Sequence, residues 1–331
     1  MTTIYLIRHA EAEGNVYRRL QGQHDSMITP NGLRQIEALA RRFAEVPVDA
    51  VYASDLGRTC LTAGAVYRPK GLPLIKEPRF REICCGVWED IPFGTLDRTE
   101  PELNRAFSHQ PKTWQVEGSE PYQVYTGRFL EALEEVVRRH AGGTVCIFSH
   151  GMVMRGALQR LFFPDTEDLG HSENTAVSRL TWDGTWHLDY LNDASHLPQE
   201  LSTLGKQQWW RGGDSRDFNM WYRDAAAEDT PLLTALEMPA GVRTRVAGLG
   251  DALVGAVAVE VGVLHRLALL PAQRGMGLSA QLLGEAVSLT RREGYRSLRL
   301  AAPADHPAAK KLLETYGFRE NALELYQRIE D

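Results

Sequence analysis

Short apolar runs alternate with amphipathic segments through the first half of the chain. Residues 4–7, 48–53 and 145–148 are runs of the kind that form buried strands. Residues 30–43 carry apolar side chains at helical spacing, and Thr29 followed by proline is a typical helix start. The alternation of strands and helices predicts an α/β fold, with a mainly parallel sheet in an αβα sandwich. Further helices are predicted at residues 56–67, 129–140 and 152–162.

Two segments of this part depart from the alternation. Residues 91–120 are polar and contain several prolines, which predicts a loop-rich insertion or cap. Residues 177–191 alternate between apolar and polar positions, as edge strands do. We therefore expect a sheet covered by helices that carries one irregular insertion.

The pattern changes again after residue 191. The following segment is polar and contains glycine, so we place a domain boundary near residue 198. The expected domains are 1–197 and 220–331, joined by a linker at 198–219. A hairpin of the second domain is predicted to turn at Gly250. Strands of this domain are expected at 243–249, 252–259, 264–270, 296–302 and 322–329, and helices at 277–292 and 307–316.

Composition narrows the classes of protein that the chain can belong to. The 331 residues are 43% hydrophobic and 24% charged, and the net charge of −6 argues against general binding to nucleic acid or to an acidic membrane. No run reaches the length of a membrane span, and a strand-like segment begins at residue 2 in place of a signal peptide. The four cysteines show neither a disulfide framework nor a zinc-ligand spacing. We expect a cytoplasmic protein with reduced thiols.

Histidine and arginine side chains follow three of the predicted strands. Arg8 and His9 come after the first strand, Arg58 lies in the segment after the second, and His150 follows the strand at 145–148. The carboxyl ends of parallel strands share one edge of a sheet, and helix starts at that edge present free N–H groups to anions. We therefore expect these four side chains to enclose one anion.

Such a set suits phosphoryl transfer without a metal ion. An imidazole nitrogen of His9 can attack phosphorus and form a phosphohistidine, while guanidiniums hold the phosphoryl oxygens. The leaving alkoxide needs a proton, for which Glu82 is the candidate acid and Glu11 a competing carboxylate. Asp55 is expected to cap the helix that carries Arg58. The residues favour a phosphomonoester as the substrate.

Five segments carry these residues in order: IRHAE, QGQHDSMITPNG, SDLGRT, REICCGVWE and SHGMVMR. Together they resemble the histidine phosphatase superfamily, which has the phosphoglycerate mutase-like fold, over residues 1–195. The resemblance implies that His9 is the phosphorylated nucleophile and that Glu82 is the proton donor. The phosphate pocket and its lining are implied to be Arg8, Arg58, His150, Asn15, Gln21, Gly22 and Asn174.

This resemblance leaves two reaction classes open. REICCGVWE is more similar to the phosphatase branch than to the glycolytic mutases, and the short segment 91–120 leaves little room for a mutase cap. We expect a phosphatase for small phosphomonoesters that uses no metal and no cofactor, with a phosphoglycerate-type mutase as the alternative. Ala10 departs from the usual glycine of the family by one methyl group.

A glycine-rich turn joins a strand to a helix in the second domain. In the sequence RGMGLS, small residues let the backbone approach a phosphate, and the helix start supplies N–H donors. With the elements that follow, this turn resembles the GNAT acetyltransferase fold, an α+β domain with a mixed sheet. The resemblance implies acetyl-coenzyme A as cosubstrate and an amine as acceptor. The implied binding residues are Leu267, Leu269, Arg274, Gly275, Gly277 and Ser279.

Three departures from the GNAT pattern bear on activity. Ser279 replaces the usual last glycine or alanine, and Leu313 stands where many relatives have a tyrosine, with Tyr316 three residues later. Residues 225–243 are too few for the usual pair of helices that shape the acceptor pocket. The alternative is therefore a non-catalytic domain that binds acetyl-coenzyme A or mediates dimerisation.

Overall fold

The first domain contains one of the two six-stranded sheets in the described part of the chain. The computed structural model describes residues 1–166, 169–207, 218–302 and 307–326. The strand order is β3-β2-β4-β1-β5-β6; four strands are parallel, and the last two pair antiparallel at one edge. The mainly parallel sheet that the sequence predicts is thereby confirmed. The strands are β1 (Thr2–Arg8), β2 (Ala50–Ala53), β3 (Leu74–Lys76), β4 (Thr144–Ser149), β5 (Val177–Trp182) and β6 (Trp186–Asp193).

Helices cover both faces of this sheet, because alternate side chains of its central strands point to opposite sides. On β4, Val145 and Ile147 belong to one hydrophobic cluster, whereas Cys146 and Phe148 belong to another. The predicted helix start at Thr29 is confirmed: its side chain accepts a hydrogen bond from the Gly32 amide. The helices are α1 (Glu13–Tyr17), α2 (Pro30–Phe43), α3 (Gly57–Tyr67), α4 (Phe93–Thr99), α5 (Pro101–His109), α6 (Tyr122–Arg139) and α7 (Gly151–Phe162).

The segment 91–120 is not the loop-rich insertion that its prolines predict, since it contains α4 and α5. Pro92 directly precedes α4, and Pro101 is the first residue of α5, where a missing N–H costs nothing. Phe107 of α5 packs against the ring of Trp88, which lies outside the segment, with centroids 6.2 Å apart. The prolines therefore begin helices in this cap, and aromatic packing fastens it to the domain.

The second sheet has the order β12-β11-β10-β9-β8-β7, and only β10 and β11 pair in parallel. Residues 225–243 contain one short helix, and the last strand ends well before the predicted residue 329; residues 327–329 lie outside the described part. The remaining elements are α8 (Thr203–Lys206), β7 (Trp221–Asp224), α9 (Thr230–Ala235), β8 (Thr244–Leu249), β9 (Ala252–Glu260), β10 (Val263–Leu269), α10 (Ser279–Arg292), β11 (Ser297–Leu300), α11 (Pro307–Thr315) and β12 (Ala322–Glu324).

Helices α1 and α10 join the two domains through a buried contact. Tyr17 belongs to the hydrophobic core of the second domain, and a Cβ at Gly284 would lie 2.4 Å from the Tyr17 Cβ. Beside it, Arg19 donates to Asp90 and to Glu285, each at 2.7 Å. Removing one partner of such a buried pair costs about 3–5 kcal/mol, because the other charge stays buried. The contact therefore holds the domains in one relative position.

Part of the predicted linker lies against the first domain. Gln35 Nε2 donates to the Leu201 carbonyl at 2.8 Å, and Thr203 Oγ1 donates to Glu11 Oε2 at 2.7 Å. Residues 208–217 lie outside the described part of the chain, so the linker bounds stay a prediction. Among the described helices, none has the length and apolar character needed to cross a membrane.

Candidate active site

The carboxyl ends of β1, β2 and β4 bring the predicted histidines and arginines together. His9 follows β1, Arg58 lies in the first turn of α3 after β2, and His150 directly precedes α7 after β4. The rings of His9 and His150 have centroids 5.2 Å apart, and all three side chains are buried. Arg8, the last residue of β1, completes the set. The structure therefore places together the four side chains that the sequence predicts to enclose one anion.

His9 is held as a neutral imidazole with a defined tautomer. Its Nδ1 lies 2.8 Å from the Ala10 carbonyl, and because a carbonyl can only accept, Nδ1 carries the proton. Burial, followed by the charges of Arg58 and Arg8, lowers the pKa of His9 well below its usual value. Nε2 therefore keeps its lone pair, which is the state that a nucleophile requires.

Backbone carbonyls orient the two guanidiniums of the pocket. Arg58 donates from Nη1 to the His24 carbonyl at 2.8 Å and from Nη2 to the Gly22 carbonyl at 2.7 Å, and Arg8 Nη1 donates to the Ser172 carbonyl. In the described residues, neither Nε atom has a hydrogen-bond partner, although both are buried. Both arginines are thus fixed while donor capacity remains for a ligand.

The ring of His150 is also held by one hydrogen bond while a second polar atom has no partner among the described residues. Its Nε2 lies 2.7 Å from Ser54 Oγ, whereas its buried Nδ1 finds no partner in the described part of the chain. Burial and then the charge of Arg58 lower the pKa of this ring well below its usual value. A buried polar atom without a partner costs about 1–3 kcal/mol, so polar atoms left open beside His9 indicate a place for a polar ligand.

Glu82 and Glu11, the two candidate acids, have different surroundings. Glu82 lines the same cavity as His9, and its carboxylate accepts from the amides of Met152 at 3.0 Å and Val153 at 2.7 Å at the start of α7. Glu11 instead accepts from Thr29 Oγ1 at 2.6 Å, and from Asn31 and Thr203. This arrangement supports Glu82 as the acid, because Glu82 lines the cavity with His9 whereas Glu11 is not among the lining residues.

Asp55 does not cap α3, contrary to the sequence-based expectation. Its carboxylate pairs with Arg81, whose Nε lies 2.6 Å from Oδ1. The Gly57 amide at the start of α3 donates instead to Asp25, at 3.0 Å to Oδ1. Asp25 is distant in sequence, so spacing alone could not identify it as the capping residue.

The predicted substrate-binding residues line one cavity of about 1290 Å³ together with the phosphate pocket. Asn174 Nδ2 donates to the His9 carbonyl at 3.0 Å and to Asn15 Oδ1 at 3.3 Å. Gln21 Oε1 accepts from Ser26 Oγ at 2.5 Å. The binding roles of these residues stay predictions, but their common location is a property of the fold. The predicted residues on the cavity wall are Asn15, Gln21, Gly22 and Asn174.

Sequence reasoning missed several residues of this cavity. Arg155 stands in the SHGMVMR segment and lines the cavity, where its Nη2 donates to the Ser108 carbonyl at 2.9 Å. Its position at the end of a site motif is a signal that could have found it. Arg98, Asn219 and Trp221 also line the cavity, but no motif marks them. The last two belong to the second half of the chain, far in sequence from His9.

The glycine-rich turn of the second domain has an open, exposed backbone. Gly275 and Gly277 have φ values of 82° and 79°, and nothing lies within 4 Å of a Cβ built at either position. Arg274 Nε donates to the Leu269 carbonyl at 3.2 Å, and Ser279 begins α10. Such a turn can place its amides against a phosphate, which a side chain at these positions would hinder.

Strand β10 pairs with β11 at its first residues and with β9 along most of its length. The parallel register joins Val263 to Arg299 and Leu264 to Leu300, and no pairing beyond it is present among the described residues. Leu267 and Leu269 continue to pair with β9 only. Residues 303–306, which follow β11, lie outside the described part of the chain, so the opening that the GNAT resemblance implies for the pantetheine arm stays a prediction.

Two residues that bear on acetyl transfer, Leu313 and Tyr316, pack within and against the core of the second domain. Leu313 is buried in the core of the second domain. Tyr316 packs against Tyr17 of the first domain, with ring centroids 5.9 Å apart, and burial raises its pKa to about 12. Tyr316 therefore contributes to the contact between the domains.

Comparison with known proteins follows this division of the chain. The family model described as histidine phosphatase superfamily (branch 1) matches residues 4–194, and the model of the acetyltransferase (GNAT) family matches residues 198–318. The chain therefore belongs to the histidine phosphatase superfamily, with a GNAT domain fused behind it, as the sequence predicts.

Individual relatives resemble the first domain. The probable phosphoglycerate mutase GpmB of Yersinia pestis is 30% identical over 205 residues, which cover 60% of this chain and 95% of that protein. Bacillus stearothermophilus YhfR is 33% identical with a TM-score of 0.56, covering 59% of this chain and 99% of that one. A mycobacterial glucosyl-3-phosphoglycerate phosphatase, 24% identical with a TM-score of 0.55, covers 58% and 99% and shares the fold.

Proposed function

We propose that the chain hydrolyses phosphomonoesters through a phosphohistidine at His9. The observation that carries the proposal is the set of buried polar atoms, Nε of Arg8, Nε of Arg58 and Nδ1 of His150, that have no partner among the described residues around a neutral His9. Tetrahedral oxyanions match this set, because charged donors from several directions offset the loss of hydration. We expect small phosphomonoesters as substrates.

Two displacements complete the proposed reaction. In the first, Nε2 of His9 attacks phosphorus, the bond to the ester oxygen breaks, and Glu82 gives its proton to the leaving alcohol. In the second, Glu82 takes a proton from water, the water oxygen attacks phosphorus, and the bond to His9 breaks. Inorganic phosphate leaves and the enzyme returns to its starting state. Arginines stabilise the charge on the phosphoryl oxygens in both steps.

No metal ion enters the proposed steps, since an imidazole supplies the nucleophile and guanidiniums supply the positive charge. Within the described residues, no group of three or more His, Cys, Asp or Glu side chains is placed to hold a metal. Metal independence is therefore part of the proposal and is tested by assay in the presence of a chelator.

His9→Ala is the decisive variant. We expect it to lose at least about a thousandfold in kcat with a chromogenic phosphomonoester, because the covalent path is removed. His187→Ala is the matched control, since His187 is exposed and lies on the edge strand β6. Wild-type enzyme quenched during turnover with labelled substrate should carry label that is stable in alkali and lost in acid. Unchanged turnover in His9→Ala would contradict the proposal.

The mutase alternative is separated by the products. A phosphatase releases inorganic phosphate and the alcohol in equal amounts, whereas a mutase returns the phosphoryl group to bound product and yields an isomeric ester. We favour hydrolysis because REICCGVWE is more similar to the phosphatase branch. Quantifying inorganic phosphate against total product with 3-phosphoglycerate decides between them.

We further propose that the GNAT domain binds acetyl-coenzyme A at the turn before α10. Support comes from the open backbone at Gly275 and Gly277 directly before α10. The coenzyme would supply its acetyl group as a thioester, with an amine as acceptor. Calorimetry with coenzyme A and an acetyl-transfer assay over a panel of amines test the two parts separately. Binding without transfer would favour a non-catalytic domain.

A further inference from the structure

The cavity that begins at the phosphate pocket extends to the second domain. Its wall includes Asn219, Trp221 and the turn at Gly250, all from the second half of the chain. With a volume of about 1290 Å³, the cavity has room for much more than a phosphate group. The leaving group of a substrate bound at His9 would therefore meet side chains that the second domain positions.

Asn219 connects the second domain to an arginine of the first. Its Oδ1 accepts from Arg18 Nε at 2.9 Å, and its Nδ2 donates to Asp97 at 3.3 Å. The backbone around Asn219 lies directly on α4, where a Cβ at Gly94 would be 2.3 Å from the Asn219 carbonyl oxygen. Asn219 is itself buried, so it holds Arg18 in a defined orientation on the cavity wall.

Trp221 holds a second arginine in a similar way. The guanidinium carbon of Arg98 lies 4.2 Å from the centroid of the Trp221 ring, as in a cation–π contact. Trp221 is buried, and its Nε1 donates to the Gly250 carbonyl at 2.8 Å. The side chain of Arg98 remains about half exposed, and its carboxylate neighbour Asp251 is 3.8 Å away. Arg98 Nη1 also donates to the Gly250 carbonyl at 3.4 Å, so stacking and this hydrogen bond orient Arg98 on the cavity wall.

Among the described residues of the cavity wall outside the phosphate pocket, arginines outnumber carboxylates. Burial lowers the pKa of Arg18 to about 9, with Asp97 opposing the shift, so this guanidinium remains charged at neutral pH. The carboxylate of Asp97 already accepts hydrogen bonds from the side-chain amides of Asn104 and Asn219. Outside the phosphate pocket, the charged lining includes Arg18, Arg98, Arg105 and Arg155 against Asp97 and Asp251.

We propose that the second domain forms part of the phosphatase site and positions arginines for a second anionic group of the substrate. Asn219 is the positioning residue for Arg18, and Trp221 is the positioning residue for Arg98. The substrate class is then a phosphomonoester whose alcohol part carries a carboxylate or a second phosphate. This inference rests on the phosphatase function proposed above.

Matched probes test the inference on the full chain. One series consists of alkyl phosphates with a terminal carboxylate and increasing chain length, and the other has a terminal hydroxyl in its place. We expect kcat/KM to favour the carboxylate by about tenfold or more at the best length, since hydrogen bonds to charged groups contribute about 1.5–3 kcal/mol. The difference should lie in KM, because the second group is remote from the reacting phosphorus.

Substitutions test which residues cause the preference for substrates with a carboxylate. Arg98→Gln and Trp221→Ala should reduce the carboxylate-to-hydroxyl ratio of kcat/KM to about one third or less of the wild-type ratio, as expected when a cation–π contact of about 1 kcal/mol or more is lost. Trp221→Phe should keep most of the wild-type ratio, because phenylalanine retains an aromatic face under Arg98. Arg138→Gln is the matched control, since Arg138 is exposed on α6 and pairs only loosely with Glu134 at 3.7 Å. The ratio is internal to each variant, so partial unfolding does not change it.

The outcomes separate this inference from the function on which it rests. Hydrolysis of both series at equal kcat/KM, abolished in His9→Ala, would overturn the inference and leave the phosphatase intact. A preference that persists unchanged in Arg98→Gln and Trp221→Ala would also overturn it. Hydrolysis of neither series would contradict the phosphatase proposal and, with it, the inference.

Discussion

The two proposed anion sites of this chain use the same local element but differ in their surroundings. Both lie where a strand leads to a helix start, at α7 in the first domain and at α10 in the second. His9, Arg58 and His150 are buried and come from three separate segments, whereas Gly275 and Gly277 are exposed within one continuous turn. The first arrangement suits covalent chemistry in a water-poor pocket, and the second suits reversible binding of a long cosubstrate by backbone amides.

The two sites also differ in how much stability it costs to keep them open for a ligand. In the first, buried donors without partners and lowered histidine pKa values cost stability that a bound oxyanion recovers. In the second, the positive φ values of two glycines keep the backbone open at little cost. Substitutions should therefore affect catalysis strongly in the first site and binding moderately in the second.

Arg58→Gln should produce the largest effect among the residues that hold the phosphoryl group. We expect kcat/KM to fall by about 10²–10³-fold, because a preorganised charged donor to the phosphoryl oxygens is lost. Steady-state kinetics with a chromogenic phosphomonoester measures this fall in kcat/KM. Arg138→Gln serves as the control, because Arg138 is exposed. A loss of less than about threefold would show that Arg58 does not touch the transferred group.

Glu82→Gln should distinguish a proton donor from a merely structural carboxylate. For an alkyl phosphate, which needs a protonated leaving group, we expect kcat to fall by about 10²-fold or more. For a nitrophenyl ester, whose leaving group needs little protonation, phosphorylation of His9 should fall much less. Glu131→Gln on the exposed side of α6 is the control. Equal losses for both esters in pre-steady-state measurements would contradict the assignment of Glu82 as acid.

Gly277→Val tests the exposed turn. At φ of 79° a β-branched residue is strained, and its side chain would occupy the open space beside the amides. We expect the affinity for coenzyme A, measured by calorimetry, to fall by about tenfold, which corresponds to roughly 1.4 kcal/mol. Gly241→Val is the matched control, because Gly241 also has positive φ and open space but lies outside the turn. Equal losses in both variants would indicate a general effect on the domain.

The smallest effect concerns protonation of the pocket. Because the pKa of His9 and of His150 is lowered from 6.5, both imidazoles should stay neutral as the pH falls through 6.5. The unfolded chain takes up protons at these residues in that range, so the free energy of unfolding should decrease as the pH falls below 6.5. Imidazole NMR shifts, assigned with His9→Ala, report the protonation. A midpoint at or above 6.5 for His9 would contradict the water-poor pocket.

Local patterns were sufficient for some predictions and failed for others for identifiable reasons. The helix start at Thr29 was predictable because the capping atom and its amide lie within one turn. The capping of α3 by Asp25 was missed, since that contact spans 32 positions. The prolines of 91–120 were assigned to loops, although Pro101 opens a helix. Proline is typical both of loops and of first helical positions, so its presence alone does not distinguish these two outcomes.

The sequence by itself determined the main alternation of strands and helices, the class of the first domain and the chemistry of its motifs. Those properties depend on residue type and short spacing, which periodicity and motif comparison record directly. Tertiary structure alone decided that three strand ends leave buried donors open around His9 and that Trp221 stacks on Arg98. Both depend on long-range approach and on the loss of water, and neither leaves a regular spacing in the chain.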